Sequence, residues 1–264
     1  MPITYIGSAS DPADNGSHTD ASQCTITPPS NMMRGDLVVI ISQINTVLTE
    51  SQLEPYIFET GGQTWNEFHG ARATDTINGP FIATRWHWCR FNGTWTADPT
   101  ITMDQSLGNA LSAVMHVFRP SAFARLWGKE SQSTGSFAAP VYDPFDVTTR
   151  NVTLPGVATT NASTVQIAAW YNDDDHTWGS LSPTLHWAVA GSAQYRNLSS
   201  TDQCSTFARK IKTSATAAID VTKRMNIPPP NPTDGMYDIV TFYEYEAGVK
   251  IIGSTKIIGA VKIV

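Results

Sequence analysis

The chain has 264 residues, of which 41% are hydrophobic and only 15% charged, and its formal net charge at pH 7 is −6. This hydrophobic share supplies a substantial core, whereas the negative charge argues against nucleic-acid binding, which needs clustered Lys and Arg to contact phosphates. No stretch approaches the roughly 18 apolar residues of a transmembrane helix. The N-terminal sequence lacks the basic and apolar regions of a signal peptide, so we expect a protein made in a cytoplasm.

The first half of the chain contains strand-like segments separated by turn residues. An apolar run at residues 37–41 follows Gly35 and Asp36, and it suits a strand buried on both faces. Residues 81–91 alternate, with tryptophans on one face and His87 on the other. Asn92 and Gly93 then favour a hairpin turn, because both residue types tolerate positive φ. Residues 110–118 alternate again, which predicts a further strand.

The second half shows a similar order of segments. Residues 165–171 have one apolar face, and residues 185–189 alternate around Trp187. Residues 206–211 and 215–221 are predicted to form a hairpin. Residues 237–245 form a long aromatic strand. Strands thus begin near Leu37 and again near Thr164, an offset of roughly 125 residues that also separates the later pairs of segments.

These patterns predict an all-β fold: a jelly-roll-like antiparallel β-sandwich of two pseudo-repeated halves with an extended C-terminal β tail. The sandwich domain would span residues 1–247, with pseudo-repeats at about 30–120 and 150–247, and would contain eight to ten strands in two sheets. Helices should be few and short. The three widely spaced cysteines predict buried free thiols, with neither a disulfide framework nor a metal site.

The tail at residues 248–264 is the most distinctive segment. Lys-Ile-Ile-Gly occurs at 250–253 and again at 256–259, and a third copy begins at Lys262. Extended, the tail would reach roughly 50 Å and place isoleucines on both faces, so one sheet could not bury them all. An edge strand on its own sandwich is one interpretation. We favour pairing between chains, with a trimer as the first expectation. The predicted assembly interface consists of Val249, Lys250, Ile251, Ile252, Lys256, Ile257, Ile258, Val261, Ile263 and Val264.

Candidate chemistry is sparse, and the sequence predicts no enzyme, no catalytic residue, no cofactor and no metal. Asp173, Asp174 and Asp175 could bind Ca²⁺, but consecutive side chains diverge in extended backbone, so a solvated turn is favoured. Glu244 and Glu246 would share a strand face, and paired carboxylates are typical of glycoside hydrolysis. No third acid accompanies them at strand spacing, so this stays the weakest alternative.

Two further residue types need an interpretation. His87 and His116 lie in predicted strands and are expected to be satisfied histidines instead of a metal pair. Eight tryptophans occur, and most lie in strand positions typical of core packing. Trp95 and Trp178 fall in predicted loops, and they are therefore the candidates for stacking against a glycan.

Several segments in order resemble bacteriophage virion proteins of the tail-associated and head-decorating sandwich type. They are residues 35–39, Gly62 with Thr64 and Trp65, the aromatic strand to Phe91, residues 97–102, and residues 117–120. The resemblance covers roughly residues 30–246 and excludes the tail. It implies a non-enzymatic structural protein of a phage particle, located in the virion as a head decoration, head fibre or tail component.

That interpretation sets the expected partners, which are further copies of the chain and other virion proteins, with no nucleic acid and no membrane. The main alternative is a module that binds host-surface glycans through its aromatic residues. A weaker alternative is a polysaccharide-degrading enzyme.

Overall fold

The computed structural model describes residues 1–12, 23–46, 55–58, 61–74, 81–103, 109–137, 149–172, 176–197, 203–226 and 235–246. All regular structure in these ranges is antiparallel β-sheet, and they contain no helix. The predicted all-β sandwich class is therefore confirmed. Within the same ranges no helix is long and apolar enough to cross a membrane.

The first half of the chain forms a large sheet and a small sheet. The large sheet has the strand order β1-β8-β3-β6-β5, and the small sheet has the order β2-β7-β4. The strands are β1 (Thr4–Asp11), β2 (Gln23–Thr25), β3 (Leu37–Thr46), β4 (Tyr56–Phe58), β5 (Asn66–Thr74), β6 (Phe81–Arg90), β7 (Thr100–Thr102) and β8 (Asn109–Arg119).

The second half also forms a large and a small sheet. Its large sheet has the order β13-β15-β11-β17-β9, with β14 also paired to β15, and its small sheet has the order β10-β16-β12. The strands are β9 (Arg125–Phe137), β10 (Thr149–Leu154), β11 (Thr164–Asn172), β12 (Thr177–Ser182), β13 (Ala188–Val189), β14 (Tyr195–Asn197), β15 (Gln203–Lys212), β16 (Val221–Asn226) and β17 (Gly235–Glu246).

The two halves correspond strand by strand. The first four strands, β1 to β4, correspond to β9 to β12, and β6 to β8 correspond to β15 to β17. The short pair β13 and β14 takes the place of β5. With this matching, the two large sheets have the same strand order, and so do the two small sheets. The outer sheets share a detail as well, because each carries an exposed pair of hydrogen-bonded threonines. Thr25 and Thr100 pair in the first half, and Thr153 and Thr222 pair in the second. Internal duplication as the origin of this correspondence stays a prediction.

The four sheets stack as four layers, with the small sheets outside and the large sheets inside. One core lies between the sheets of the first half and contains Val38, Ile40 and Ile101. A second core lies between the sheets of the second half and contains Trp170 and Met225. The third core lies between the two large sheets, and we call this interface the seam.

The seam explains the continuous apolar run at residues 37–41. Val38 and Ile40 belong to the first core, whereas Leu37, Val39 and Ile41 belong to the seam, so both faces of β3 are buried. The prediction of a doubly buried strand here is confirmed. The predicted number of strands and sheets is too low: the sequence predicted eight to ten strands in two sheets, whereas the described residues form 17 strands in four sheets.

Both predicted hairpins are wrong. After Asn92 and Gly93 the chain leaves the large sheet, and β7 pairs with β2 and β4 instead of β6. After β15 it likewise crosses to the outer sheet, where β16 pairs with β10 and β12. Gly93 has a φ of 106°, so the turn chemistry was identified correctly, but it redirects the chain to another layer. The predicted strand around Trp187 is mostly a turn, with only Ala188–Val189 in β-structure.

Candidate functional site: a cleft at one end of the seam

A cleft of about 530 Å³ opens where β5 and β6 of the first half meet β9 and β17 of the second. This volume lies within the ~300–1,000 Å³ of typical ligand pockets. Its lining includes Arg34, Asn66, Trp88, Arg90, Leu126 and Tyr245. Both halves therefore contribute to it, and neither half forms it alone.

Strand register positions the walls of the cleft. On the first half, Asn66 of β5 lies opposite Trp88 of β6. On the second half, Tyr245 of β17 lies opposite Leu126 of β9. The two walls meet in an edge-on contact of Trp88 with the buried Phe242, whose ring centroids are 5.6 Å apart.

A hydrogen-bonded loop at residues 31–36 closes one end of the cleft. The buried carboxylate of Asp36 accepts two bonds from the guanidinium of Arg119, each 3.1 Å long, and one from the backbone of Met33. The indole of Trp127 donates across the seam to the carbonyl of Gly35 at 3.0 Å. Bidentate charged pairs hold planar geometry well, so this loop is fixed on the sheet.

The two arginines of the cleft are held differently. Arg90 donates from Nε to the carbonyl of Arg125 at 3.0 Å and from Nη2 to that of Phe123 at 2.8 Å. Arg34 is exposed, and among the described residues no ion pair or hydrogen bond of its guanidinium is found. Its stem packs against Gly93, where a β-carbon would approach it to 3.2 Å.

An amide network fixes the adjoining loops at residues 61–63 and 92–94. The buried Gln63 donates to the side chain of Asn92 at 2.7 Å and to the carbonyl of Thr94 at 2.8 Å. Asn92 in turn donates to the carbonyls of Gly61 and Gly62. Asn92 therefore serves as the connector between two loops instead of the centre of a hairpin turn.

A second polar cluster lies inside the seam, where Asp238 of β17 is fully buried. One carboxyl oxygen, Oδ2, is 3.0 Å from both the indole nitrogen of Trp86 and the hydroxyl of Thr84. Gly70 makes room for it, since a β-carbon there would lie 2.6 Å from Asp238 and 2.1 Å from Thr84. Burial raises the pKa of Asp238, although hydrogen bonds from neighbouring groups oppose the rise. The cluster joins the halves, and the side chains of Asp238, Trp86 and Thr84 are all buried.

The two tryptophans proposed for glycan contact lie in different surroundings. Trp95 is in a loop as predicted, but it is half-buried and stacks on Phe91, with centroids 4.9 Å apart, and on Trp65. Trp178 lies in β12 instead of a loop and is 4% exposed among Phe137 and Trp170. A glycan could not stack on Trp178 without unpacking this core.

The two carboxylates considered for hydrolysis each have a structural partner. Glu244 is buried and accepts hydrogen bonds from the hydroxyl and the backbone N–H of Ser121. Glu246 forms an ion pair with Arg125 at 3.0 Å. Both residues lie on β17 near the end of the described chain, as the sequence indicates.

The two histidines do not approach each other. In the register of β3, His87 lies opposite Ile40, whereas His116 lies opposite Val39, so their rings point to opposite faces of the sheet. Burial lowers the pKa of each to about 3, aided by a nearby arginine. In the described part of the chain no group of three or more His, Cys, Asp or Glu residues is arranged to hold a metal ion.

Other sequence predictions have mixed outcomes. All three cysteines are buried and free, as predicted. Asp173, Asp174 and Asp175 and the whole predicted assembly tail from Val249 to Val264 lie outside the described residues. The arginines and Tyr245 of the cleft were missed, because these residues are distant in sequence and only the packing of the two halves brings them together.

Comparison of the chain with protein-family models, curated proteins and solved structures finds no match.

Proposed function

We propose that this chain is a non-enzymatic structural protein that assembles with copies of itself and with other proteins of a bacteriophage particle. The observation that carries the proposal is the hexad-repeat tail at residues 249–264, in which isoleucines occupy both faces of any flat strand. Such a segment with high β-propensity and no proline needs a partner surface.

The fold supports this role because the sandwich leaves the tail little apolar surface of its own. Both faces of each large sheet are covered, one by the seam and the other by a small sheet. The outward faces of the small sheets carry exposed threonine pairs in the described residues. Among the described strands, β1 and β9 lie at sheet edges, because each pairs on one side only. Strand addition to such an edge in a neighbouring copy would supply the missing partner.

The scaffold character of the interior supports the same role. Two charged groups inside the described core hold the fold together, namely the Asp36–Arg119 pair and the Asp238 cluster that joins the halves. The resemblance to virion sandwich proteins points in the same direction. A rigid stack with an assembling end is suited to decorating a head or forming part of a tail.

Deletion of residues 249–264 tests the tail. We expect light scattering to give a multiple of 28.7 kDa for the full chain, with a trimer favoured, and a monomer mass for the deletion variant. Ile252→Asp and Ile258→Asp should dissociate the oligomer, because a charge would enter an apolar interface. Ser254→Asp adds the same charge at a polar position and is the matched control. An unchanged mass after deletion would refute tail-driven assembly.

Placement on a particle needs a separate experiment. An antibody raised against the chain should label purified virions at regularly arranged positions on the head or tail. Detection of the protein only in the unassembled fraction of lysates would contradict the virion assignment, whatever its oligomeric state.

A further inference from the structure

The cleft at the end of the seam has an unusual charge for this acidic chain. Arg34 and Arg90 both line it, and no described Asp, Glu or Lys side chain does. The chain as a whole has 23 acidic and 17 basic residues, so a concave surface whose described charged side chains are all positive differs from the rest of the molecule. Such a cleft attracts anions, because its walls concentrate the field of the arginines.

Aromatic and amide groups surround the two arginines. Tyr245 is 41% exposed and Trp88 is half-buried, so each presents part of a ring to the cleft. Asn66 is exposed beside Trp88 and offers both a donor and an acceptor. Flat rings that contact the C–H faces of a pyranose, together with amides and arginines that bind its oxygens, form a typical surface for sugar recognition.

The cleft is also built before any ligand arrives. Arg90 is fixed by its two carbonyl bonds, and the loop that carries Arg34 is anchored through Asp36 and Arg119. Gln63 and Asn92 fix the adjoining loops at residues 61–63 and 92–94. Of the two arginines in the described lining, Arg34 is the exposed one, and its planar guanidinium can donate two parallel hydrogen bonds to a carboxylate or sulfate group. A fixed site loses less conformational entropy on binding.

We propose that this cleft binds an oligosaccharide bearing a carboxylate or sulfate group, with Arg34 contacting the anion and Trp88 and Tyr245 contacting the sugar ring. The chain's own tail is a poorer occupant, because its three lysines would face two arginines. The site adds a recognition role to the proposed assembly role, and it does not depend on that role.

A glycan array tests the proposal with the full-length protein. The array should carry acidic oligosaccharides, each next to a neutral counterpart with the same backbone. We expect retention of acidic members and weakening at high salt, because part of the attraction is ionic. Calorimetric titration with the best-bound glycan then compares three variants. Arg34→Gln should weaken binding about tenfold through loss of a charge-assisted hydrogen bond, and Asn66→Trp should abolish it by filling the cleft.

Arg224→Gln is the matched control, since Arg224 is an exposed arginine on the outer strand β16. It should bind as the wild type does. The light-scattering mass of each variant should also equal that of the wild type, which separates this test from the assembly test. Equal retention of neutral and acidic glycans, no retention of either, or unchanged affinity in Arg34→Gln would overturn the proposal.

Discussion

Acid should destabilise this protein partly through one buried histidine, His116 of β8. Its ring is fully buried at the seam, where Nδ1 lies 3.2 Å from the hydroxyl of Tyr5 and Phe207 packs against it edge-on at 4.8 Å. Arg209, which lies over the ring of Tyr5 at 4.1 Å, adds a positive charge nearby. Burial and this arginine lower the pKa of His116 to about 3.

The sign and size of the effect follow from linkage. The folded-state pKa lies below the unfolded value of about 6.5, so the stabilisation is complete above that value and falls as the pH drops toward 3. At pH 4.5 the unfolded histidine is protonated and the folded one is not, so two pH units below 6.5 cost about 3 kcal/mol of unfolding free energy. His87 on the opposite face of the same sheet should add a similar loss, since its pKa is also lowered to about 3.

Urea unfolding at pH 7.5 and pH 4.5 measures this contribution. The His116→Phe variant keeps the edge-on aromatic contact with Phe207 but cannot take up a proton. We expect its loss of stability between the two pH values to be about 3 kcal/mol smaller than that of the wild type. An identical loss in His116→Phe and the wild type would refute the argument.

Two other substitutions test how the seam and the cleft loop are held. Asp238→Asn should be more stable than the wild type at pH 8 and should show less pH dependence. The pKa of Asp238 is higher in the folded than in the unfolded protein, so its contribution to stability is present below the unfolded pKa and is lost as the pH rises through the folded pKa. Asparagine carries no charge at any pH, and its amide oxygen still accepts the hydrogen bond from Trp86. Chemical unfolding of both proteins at pH 4 and pH 8 measures the difference, and an equal change in unfolding free energy would contradict it. Arg119→Met should cost about 1–3 kcal/mol, because the buried carboxylate of Asp36 loses its cationic partner and keeps only the bond from Met33. A loss under 1 kcal/mol in thermal unfolding would exclude a structural role for this pair.

The sequence predicted the central strands well because hydrophobic pattern controls which face of a strand is buried. The doubly apolar run of β3 and the alternation of β6 and β11 are direct consequences of two cores lying on either side of one sheet. The ends of the last strand also agree closely with the prediction: β17 spans Gly235–Glu246, and the sequence predicted residues 237–245.

Layer changes were not predictable from local pattern. Asn92 and Gly93 have the residue types of a tight hairpin, yet the following strand pairs in another sheet, and the same happens after β15. A turn sequence reports backbone dihedrals and contains no information about which distant strand will bind next. Pairing with β2 and β10 is decided by the core between the sheets, which forms only once remote segments meet.

The same limitation hid the candidate site. The alternating pattern predicted the correct face of β6 for Trp88. It did not predict that this face packs against β17 of the other half. Arg34 lies in a loop without any pattern of its own. Trp178 was misplaced for a related reason: the preceding acidic residues indicate a loop, whereas the aromatic core of the second half draws Trp178 into β12.

The seam makes the two halves one folding unit despite their matching strand orders. Its polar contacts already cross between them, as Gln43 of β3 donates to the carbonyl of Asn172 at 2.9 Å and Trp86 donates to Asp238. Separating the halves would expose to water the apolar face that each large sheet buries in the seam, a cost of several kcal/mol for each half. The seam core therefore needs both halves. The packing of the two halves also forms the cleft, since the arginines come from one half and Tyr245 from the other.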